Sequence, residues 1–374
     1  MKTMIFDVDI AGHHLEYLHH FYLGALAHSD DDFVFFVSSS FNERKKQYTW
    51  PQTSNITFLY STEEQTAKCL DSKAWKAGLY YTWLLRKVIN QVKPDKVLVT
   101  TATVFMPFAR FILPRDCKVS GIMYTIYSYE KDAWPKWRLQ AERWRIRSSV
   151  KSSVFDSIYL LNDEDSCKLW NEYYHTSKFK YLVDPVPTVD PGTCTDVRIK
   201  LGIPANDKIF LHFGGMAERK GTLNILKAII STTGKNLSDK TFVFAGRIYS
   251  DIHEDFYHLL EKAREKANIL VYDEFVAYEF IYNLCFTTDF ILMPYKMSNL
   301  SSGLLGYASL FKKTVIGPEK GLIGQLIRKY DLGHCIDVYD IDSISRSFSL
   351  TPMKLNSVYR DVNTLDRFLS QLFD

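Results

Sequence analysis

The sequence predicts an α/β protein of two doubly wound, Rossmann-like domains facing across a cleft. Three observations predict it. Its 374 residues exceed the roughly 250–300 at which one hydrophobic core stops growing. Short β-rich runs alternate with segments of helical spacing through both halves, as in a mostly parallel sheet covered on both faces. Between the halves, VDPVPTVDPGTCTD (183–196) carries three prolines and no periodicity, which reads as a linker.

In the first half the strand candidates are TMIFDV, DFVFFVS, NITFLY, KVLVT, KVSGIMY, VFDSIYLL and FKYLV. Helical spacing falls at 15–27, 73–92 and 134–153. In the second half the strands are KIFLHF, TFVFAG, NILVYD, DFILMP, KTVIG and GHCID. Helices are expected at 220–232, 253–267, 276–287, 302–312 and 321–330. The expected domains are 1–188, 189–355 and a C-terminal segment, 356–374. In that segment Val362, Leu365, Phe368, Leu369 and Leu372 would share one face of a single helix, free to return to the first domain.

Composition narrows the function. Hydrophobic residues at 46% and charged residues at 24% suit a soluble globular protein, and a net charge of +3 is too small to argue for nucleic acid. The six cysteines form no CxxC and no metal-type cluster, so they read as thiols of a reducing compartment. MKTMIFDVDIAGHH meets Asp7 and Asp9 before any apolar run, so no signal peptide is expected. No run of about 18 apolar residues predicts a membrane span. These features predict a cytoplasmic location.

Ligands of doubly wound sheets bind at the carboxyl ends of the strands, so the loops there carry the functional reading. In FLHFGGMAERKGTLNILKAI, Gly214 and Gly215 allow a tight turn, and Arg219 with Lys220 opens a helix. Cations are disfavoured at a helix N-terminus. Either both point to water, or an anion such as a diphosphate resolves the conflict. In DFILMPYKMSNLSSGLLGYASLF, Ser301 or Ser302 can cap a helix whose free amides bind anions. Gly303 lets a ligand approach the amides of Ser302, Gly303 and Leu304; ordinary capping is the plainer alternative. In IGPEKGLIGQLIRKY, glycines again stand where a strand hands over to a helix, either as a tight turn or as a third phosphate-facing loop. Together the three loops point to a nucleotide diphosphate.

The ordered series FGGMAERKG, FVFAGR, DEFVAYEFIYNLCFTTDFILMPY, SSGLLGYASLFKKTVIG and EKGLIGQLIRKYDLG resembles the nucleotide-binding domain of GT-B glycosyltransferases. In particular it resembles retaining enzymes of glycosyltransferase family four. The resemblance covers about 205–335 well and the first half in outline, through DIAGHHLEY. It implies that Lys220 contacts the donor diphosphate, with Gly214, Gly215, Arg219, Arg247, Ser301, Ser302, Gly303, Leu304 and Tyr307 as further donor-binding positions. It places His13, Asn299 and Glu319 as candidate catalytic residues.

The family's flanking glutamates fall on Asn299 and Tyr307, neither of them acidic. The family's arginine after the first glycine strand is replaced near Gly215, with Arg219 as a substitute. The implied chemistry is transfer of a sugar from a nucleotide-diphosphate donor to a glycan or lipid-linked acceptor in cell-surface polysaccharide synthesis, without a metal or other cofactor. Asp7-Val8-Asp9 looks like the DxD metal motif of the other glycosyltransferase fold, but it ends strand one and is not expected to hold a metal. A non-catalytic nucleotide-sugar or glycan-binding protein of the same fold is the alternative. A sugar-nucleotide epimerase is a third reading that lacks identifiable acid and base carboxylates.

On the acceptor side, His13 and His14 open a helix after strand one, either as polar surface or as hydrogen-bonding partners of a sugar or phosphate. In KDAWPKWRLQAERWRIRSSVK (131–151), Trp134, Trp137, Ala141 and Trp144 line one helical face, with Arg138 and Arg145 beside it. They are either core tryptophans with solvated arginines or a helix lying on the inner face of a membrane.

Overall fold

The computed structural model describes residues 1–10, 14–71, 73–130, 134–232 and 237–373. The chain divides into two compact units. One is Met1–Val183 with Asp366–Asp374, and the other is Asp184–Leu365.

The first unit contains β1 (Lys2–Asp7), β2 (Asp32–Val37), β3 (Ile56–Tyr60), β4 (Lys96–Val99), β5 (Lys118–Met123), β6 (Phe155–Leu161) and β7 (Phe179–Leu182). They form one parallel sheet in the order β3-β2-β1-β4-β5-β6-β7. β1 is buried along nearly all its length, so its apolar residues run without the alternation of a one-sided sheet. Phe6 stacks on Phe36 of the neighbouring strand at 4.9 Å between centroids.

The second unit contains β8 (Lys208–Phe213), β9 (Lys240–Ala245), β10 (Asn268–Tyr272), β11 (Phe290–Leu292), β12 (Thr314–Pro318) and β13 (Gly333–Ile336). They form a parallel sheet in the order β10-β9-β8-β11-β12-β13. Phe242, Phe210 and Phe290 stack across three adjacent strands, at 5.1 and 4.8 Å, and anchor the core. Burying each such ring contributes about 1.5–3 kcal/mol. The expected helices form where the periodicity places them; Glu63–Cys69 and Glu164–Tyr174 in the first unit and Ile341–Ser347 in the second add to them, the last capped by Asp340 on the Asp342 amide.

Each sheet reverses its winding once, at β1/β4 in the first unit and at β8/β11 in the second. These are the topological switch points, where adjacent loops diverge and leave a crevice.

The C-terminal segment corrects an expectation. It forms two helices, Val358–Val362 and Leu365–Phe373. The break follows from Asn363, whose carbonyl accepts the Val186 amide at 2.9 Å and whose side chain turns back to the Tyr359 carbonyl at 2.8 Å. Val362 therefore does not share the helix of Phe368 and Leu372. That last helix packs on the first unit, with Phe368 stacked on Phe21 at 5.9 Å and Lys96 donating to the Leu372 carbonyl at 2.8 Å.

Candidate functional site

The second unit's switch point is built by the turn after β8. Gly214 has φ +86 and Gly221 has φ +69, so this turn requires left-handed backbone at both ends. A Cβ on Gly221 would lie 2.0 Å from the Pro294 carbonyl oxygen, so the turn lies directly against the exit of β11. His212 joins the two strands underneath. Its Nδ1 donates to the Leu292 carbonyl at 2.9 Å, and its Nε2 accepts from the Thr222 hydroxyl at 3.0 Å. Burial pushes its pKa down to about 4, so it is neutral near pH 7. Sequence reasoning passed over His212. The signal was a lone polar residue within the apolar run KIFLHF.

Lys220 rises from this turn. Its ammonium lies 5.2 Å from the ring centroid of Tyr295 and 3.4 Å from the place a Gly214 Cβ would occupy. It is only partly exposed, and it makes no ion pair with a carboxylate among the described residues. The neighbouring cation behaves differently, because Lys296 pairs with Glu218. The Arg219 side chain is exposed, while its carbonyl accepts the Lys296 amide at 2.9 Å. The Tyr295 hydroxyl is buried without a hydrogen-bond partner among the described residues.

The Gly215 backbone lies under Tyr249; a Cβ there would sit 2.6 Å from the tyrosine hydroxyl. Arg247 and Tyr249 line a shallow pocket of about 600 Å³ with His253 and Glu254. The Met216 amide donates to the Arg247 carbonyl at 2.8 Å, which attaches this pocket to the β8 turn.

The Ser-Ser-Gly helix spans Leu304–Phe311, with Gly303 as its N-cap and no side-chain capping bond. Capping by Ser301 is therefore corrected. Its hydroxyl donates instead to Asp184 at 2.7 Å, in the interior of the unit. The amides of Ser302, Gly303 and Leu304 donate to no acceptor among the described residues. A Cβ on Gly303 would meet nothing within 4 Å. Open space and free amides coincide at this helix start.

The Gly-Leu-Ile-Gly helix, Gly321–Lys329, is built the opposite way. The Ser298 carbonyl accepts the amides of Leu322 at 2.8 Å and Ile323 at 3.4 Å. A Cβ on Gly321 would lie 2.2 Å from the Ser298 hydroxyl. This start is filled by the chain itself and does not present these amides to a phosphate.

The remaining candidates fall into different settings. Asn299 is fully buried, and neither amide atom of its side chain has a hydrogen-bond partner among the described residues. Tyr307 is in the core, 5.3 Å from Phe213 and 5.9 Å from Tyr282 between ring centroids. Glu319 is exposed at the exit of β12, 4.0 Å from Lys320. His13 and Gly12 lie outside the described residues.

The first unit's switch point carries a second cluster. Asp7 is buried at the end of β1 and accepts from the Tyr81 hydroxyl at 3.2 Å, from Thr100 after β4, and from His14 Nδ1 at 2.7 Å. Burial alone opposes a charge on His14. The charge and hydrogen bond of Asp7, with the charge of Asp9, outweigh it and hold the imidazole up at about 9. Among the described residues, no group of three or more His, Cys, Asp or Glu is arranged to hold a metal ion.

No protein-family model matches the chain, and no curated protein matches it in sequence. Solved structures do match over its whole length. WaaG, a glycosyltransferase involved in lipopolysaccharide biosynthesis, is 12% identical with a TM-score of 0.67, over 100% of this chain and 96% of its own. HepE from Anabaena in complex with UDP is 12% identical with a TM-score of 0.68, over 100% and 98%. A structure described as trehalose-6-phosphate from E. coli bound with UDP-2-fluoro glucose is 12% identical with a TM-score of 0.67, over 99% and 98%. The chain has the fold of the GT-B glycosyltransferases, with two Rossmann-like domains.

Proposed function

We propose that this protein is a glycosyltransferase that moves a sugar from a nucleotide-diphosphate donor to a glycan or lipid-linked acceptor. The observation that carries the reading is Lys220, an ammonium held at the β8/β11 switch point over Tyr295 with no carboxylate to neutralise it among the described residues. A diphosphate supplies the missing charge. The amides of Ser302, Gly303 and Leu304 add donors at an open helix start. As the sugar leaves, negative charge grows on the diphosphate, and fixed cations and amides lower that barrier. The same groups account for a metal-independent reaction. Retention of configuration, hexosyl transfer and a role in cell-surface polysaccharide synthesis complete the proposal on the strength of the sequence resemblance, and the isolated cysteines support a cytoplasmic setting for it. HepE binds UDP, so UDP is the first nucleotide to try.

Asn299 and Tyr307 favour one competing reading, because neither offers a carboxylate at the positions flanking the Ser-Ser-Gly helix. In that reading the protein binds a nucleotide sugar or glycan without turnover. The test is thermal stability against UDP, GDP, ADP, dTDP and CMP in the presence of chelator, followed by donor hydrolysis. A nucleotide at about 100 times its dissociation constant adds about 2.7 kcal/mol. The expected result is one selective shift, abolished in Lys220→Ala, with sugar released from the matching donor. A shift that survives Lys220→Ala removes the site from the β8 turn. Binding without product from any donor supports the competing reading.

A further inference from the structure

The first unit exposes aromatic side chains on three packed helices. On Ala74–Val92, Trp75, Leu79 and Trp83 stand on successive turns of one face, and the two tryptophans are 62% and 47% exposed. On Lys136–Val150, Trp137 and Trp144 are 71% and 57% exposed. The short helix Ala109–Ile112 packs against both and carries Phe111, 70% exposed. The core reading of the second tryptophan pair is thus corrected. Trp134 is partly buried, with Arg138 stacked 3.7 Å above its ring, and Arg145 pairs with Glu142. Residues 131–133 lie outside the described residues.

Large aromatics are seldom left in water in such numbers on helices packed together, and such a set marks a contact surface. Its charge identifies the partner. The first helix contains no Asp or Glu, and Lys76 and Lys87 lie 5.7 and 5.9 Å from the rings of Trp75 and Trp83. The long helix 136–150 adds exposed Lys136, Arg143 and Arg147, and its one acid is already paired. Sugar-binding surfaces need several carboxylates or amides beside the aromatic rings; here Trp75 and Trp83 have none within a turn of their helix, and exposed Gln140 is the one amide between Trp137 and Trp144. Leu79 offers nothing for a nucleobase to stack on. Tryptophan and leucine interleaved with lysine and arginine match the boundary between acyl chains and anionic headgroups.

We propose that these three helices form one docking platform for an anionic lipid bilayer, extending well beyond segment 131–151. No helix among the described residues is long and apolar enough to cross a membrane, so the contact is peripheral. The platform stands independently of the donor reading and gives a lipid-linked acceptor a surface on which to meet the enzyme.

The test is co-sedimentation of the full chain with phosphatidylglycerol–phosphatidylcholine vesicles and with phosphatidylcholine alone, across a salt series. Binding to the anionic vesicles is expected, weakening with salt. Trp75→Glu/Trp83→Glu and Arg143→Glu/Arg147→Glu should each lower it by about tenfold or more. All four positions are exposed, so circular dichroism and the response to nucleotide should be unchanged. Failure of the wild-type chain to bind anionic vesicles overturns the proposal. So does full binding by the Trp75/Trp83 variant, which would leave no role for the first helix. Capture of an acidic polysaccharide in place of vesicles would reassign the surface.

Discussion

The two switch points differ in how they treat a cation. After β1, His14 is met by the chain's own Asp7, and Thr100 and Tyr81 complete the carboxylate's hydrogen bonds. After β8, Lys220 has an aromatic ring beside it and no carboxylate partner among the described residues. The same contrast recurs at two helix starts of the second unit. Gly321 is filled by Ser298, and Gly303 faces open space. A satisfied turn is a structural joint, whereas an unsatisfied one keeps its donors unpaired within the described chain. The contrast separates positions that look alike in sequence.

The largest test is at Asp7. Asp7→Ala leaves His14, Thr100 and Tyr81 without their shared acceptor, and should cost about 3–5 kcal/mol in chemical denaturation. The pH dependence sharpens this. His14 has its pKa raised to about 9 in the folded state, so its stabilisation is complete below pH 6.5 and disappears as pH rises through 9. The wild-type chain should lose up to about 3 kcal/mol across that window. The Asp7 variant should lose far less, and parallel curves for the two would show that the pair does not hold this turn together.

Next is Gly321→Ala. Its φ of +73 and the nearby Ser298 leave no room for a methyl group, so a loss of about 2–4 kcal/mol is expected. A neutral result would mean that this helix start is open after all. The smallest effects on stability belong to the open positions. Lys220→Ala should change it by less than about 0.5 kcal/mol while abolishing the nucleotide response. Gly303→Leu enters open space at a helical φ of −55, but at an N-cap, where leucine is less favourable than glycine, so it should cost no more than about 1 kcal/mol. It should also weaken nucleotide binding, as measured by titration calorimetry. Unchanged affinity would show that no ligand approaches Gly303.

Much of this was legible before any coordinates. Buried parallel strands leave continuous apolar runs such as TMIFDV and TFVFAG, and their helices keep a period near 3.6, so the alternation reads directly as two wound sheets. Gly214, Gly215 and Lys220 were also legible, because a glycine turn with a cation at a helix start is a local conflict. The C-terminal helix was misjudged because the break at Asn363 depends on Val186, far away in the chain. Ser301 was misjudged for the same reason, since its partner Asp184 lies 117 residues away. Nothing in GLIG announces that Ser298 closes it.

By itself, then, the sequence determined the layered fold and the strand-to-helix turns, because these depend on periodicity and on backbone conformations set by neighbouring residues. Only the tertiary structure decided which turns are already occupied and which remain open. A hydrogen-bonding group at a turn is satisfied by whatever the fold brings within about 3 Å of it, and that partner is seldom a neighbour in the chain.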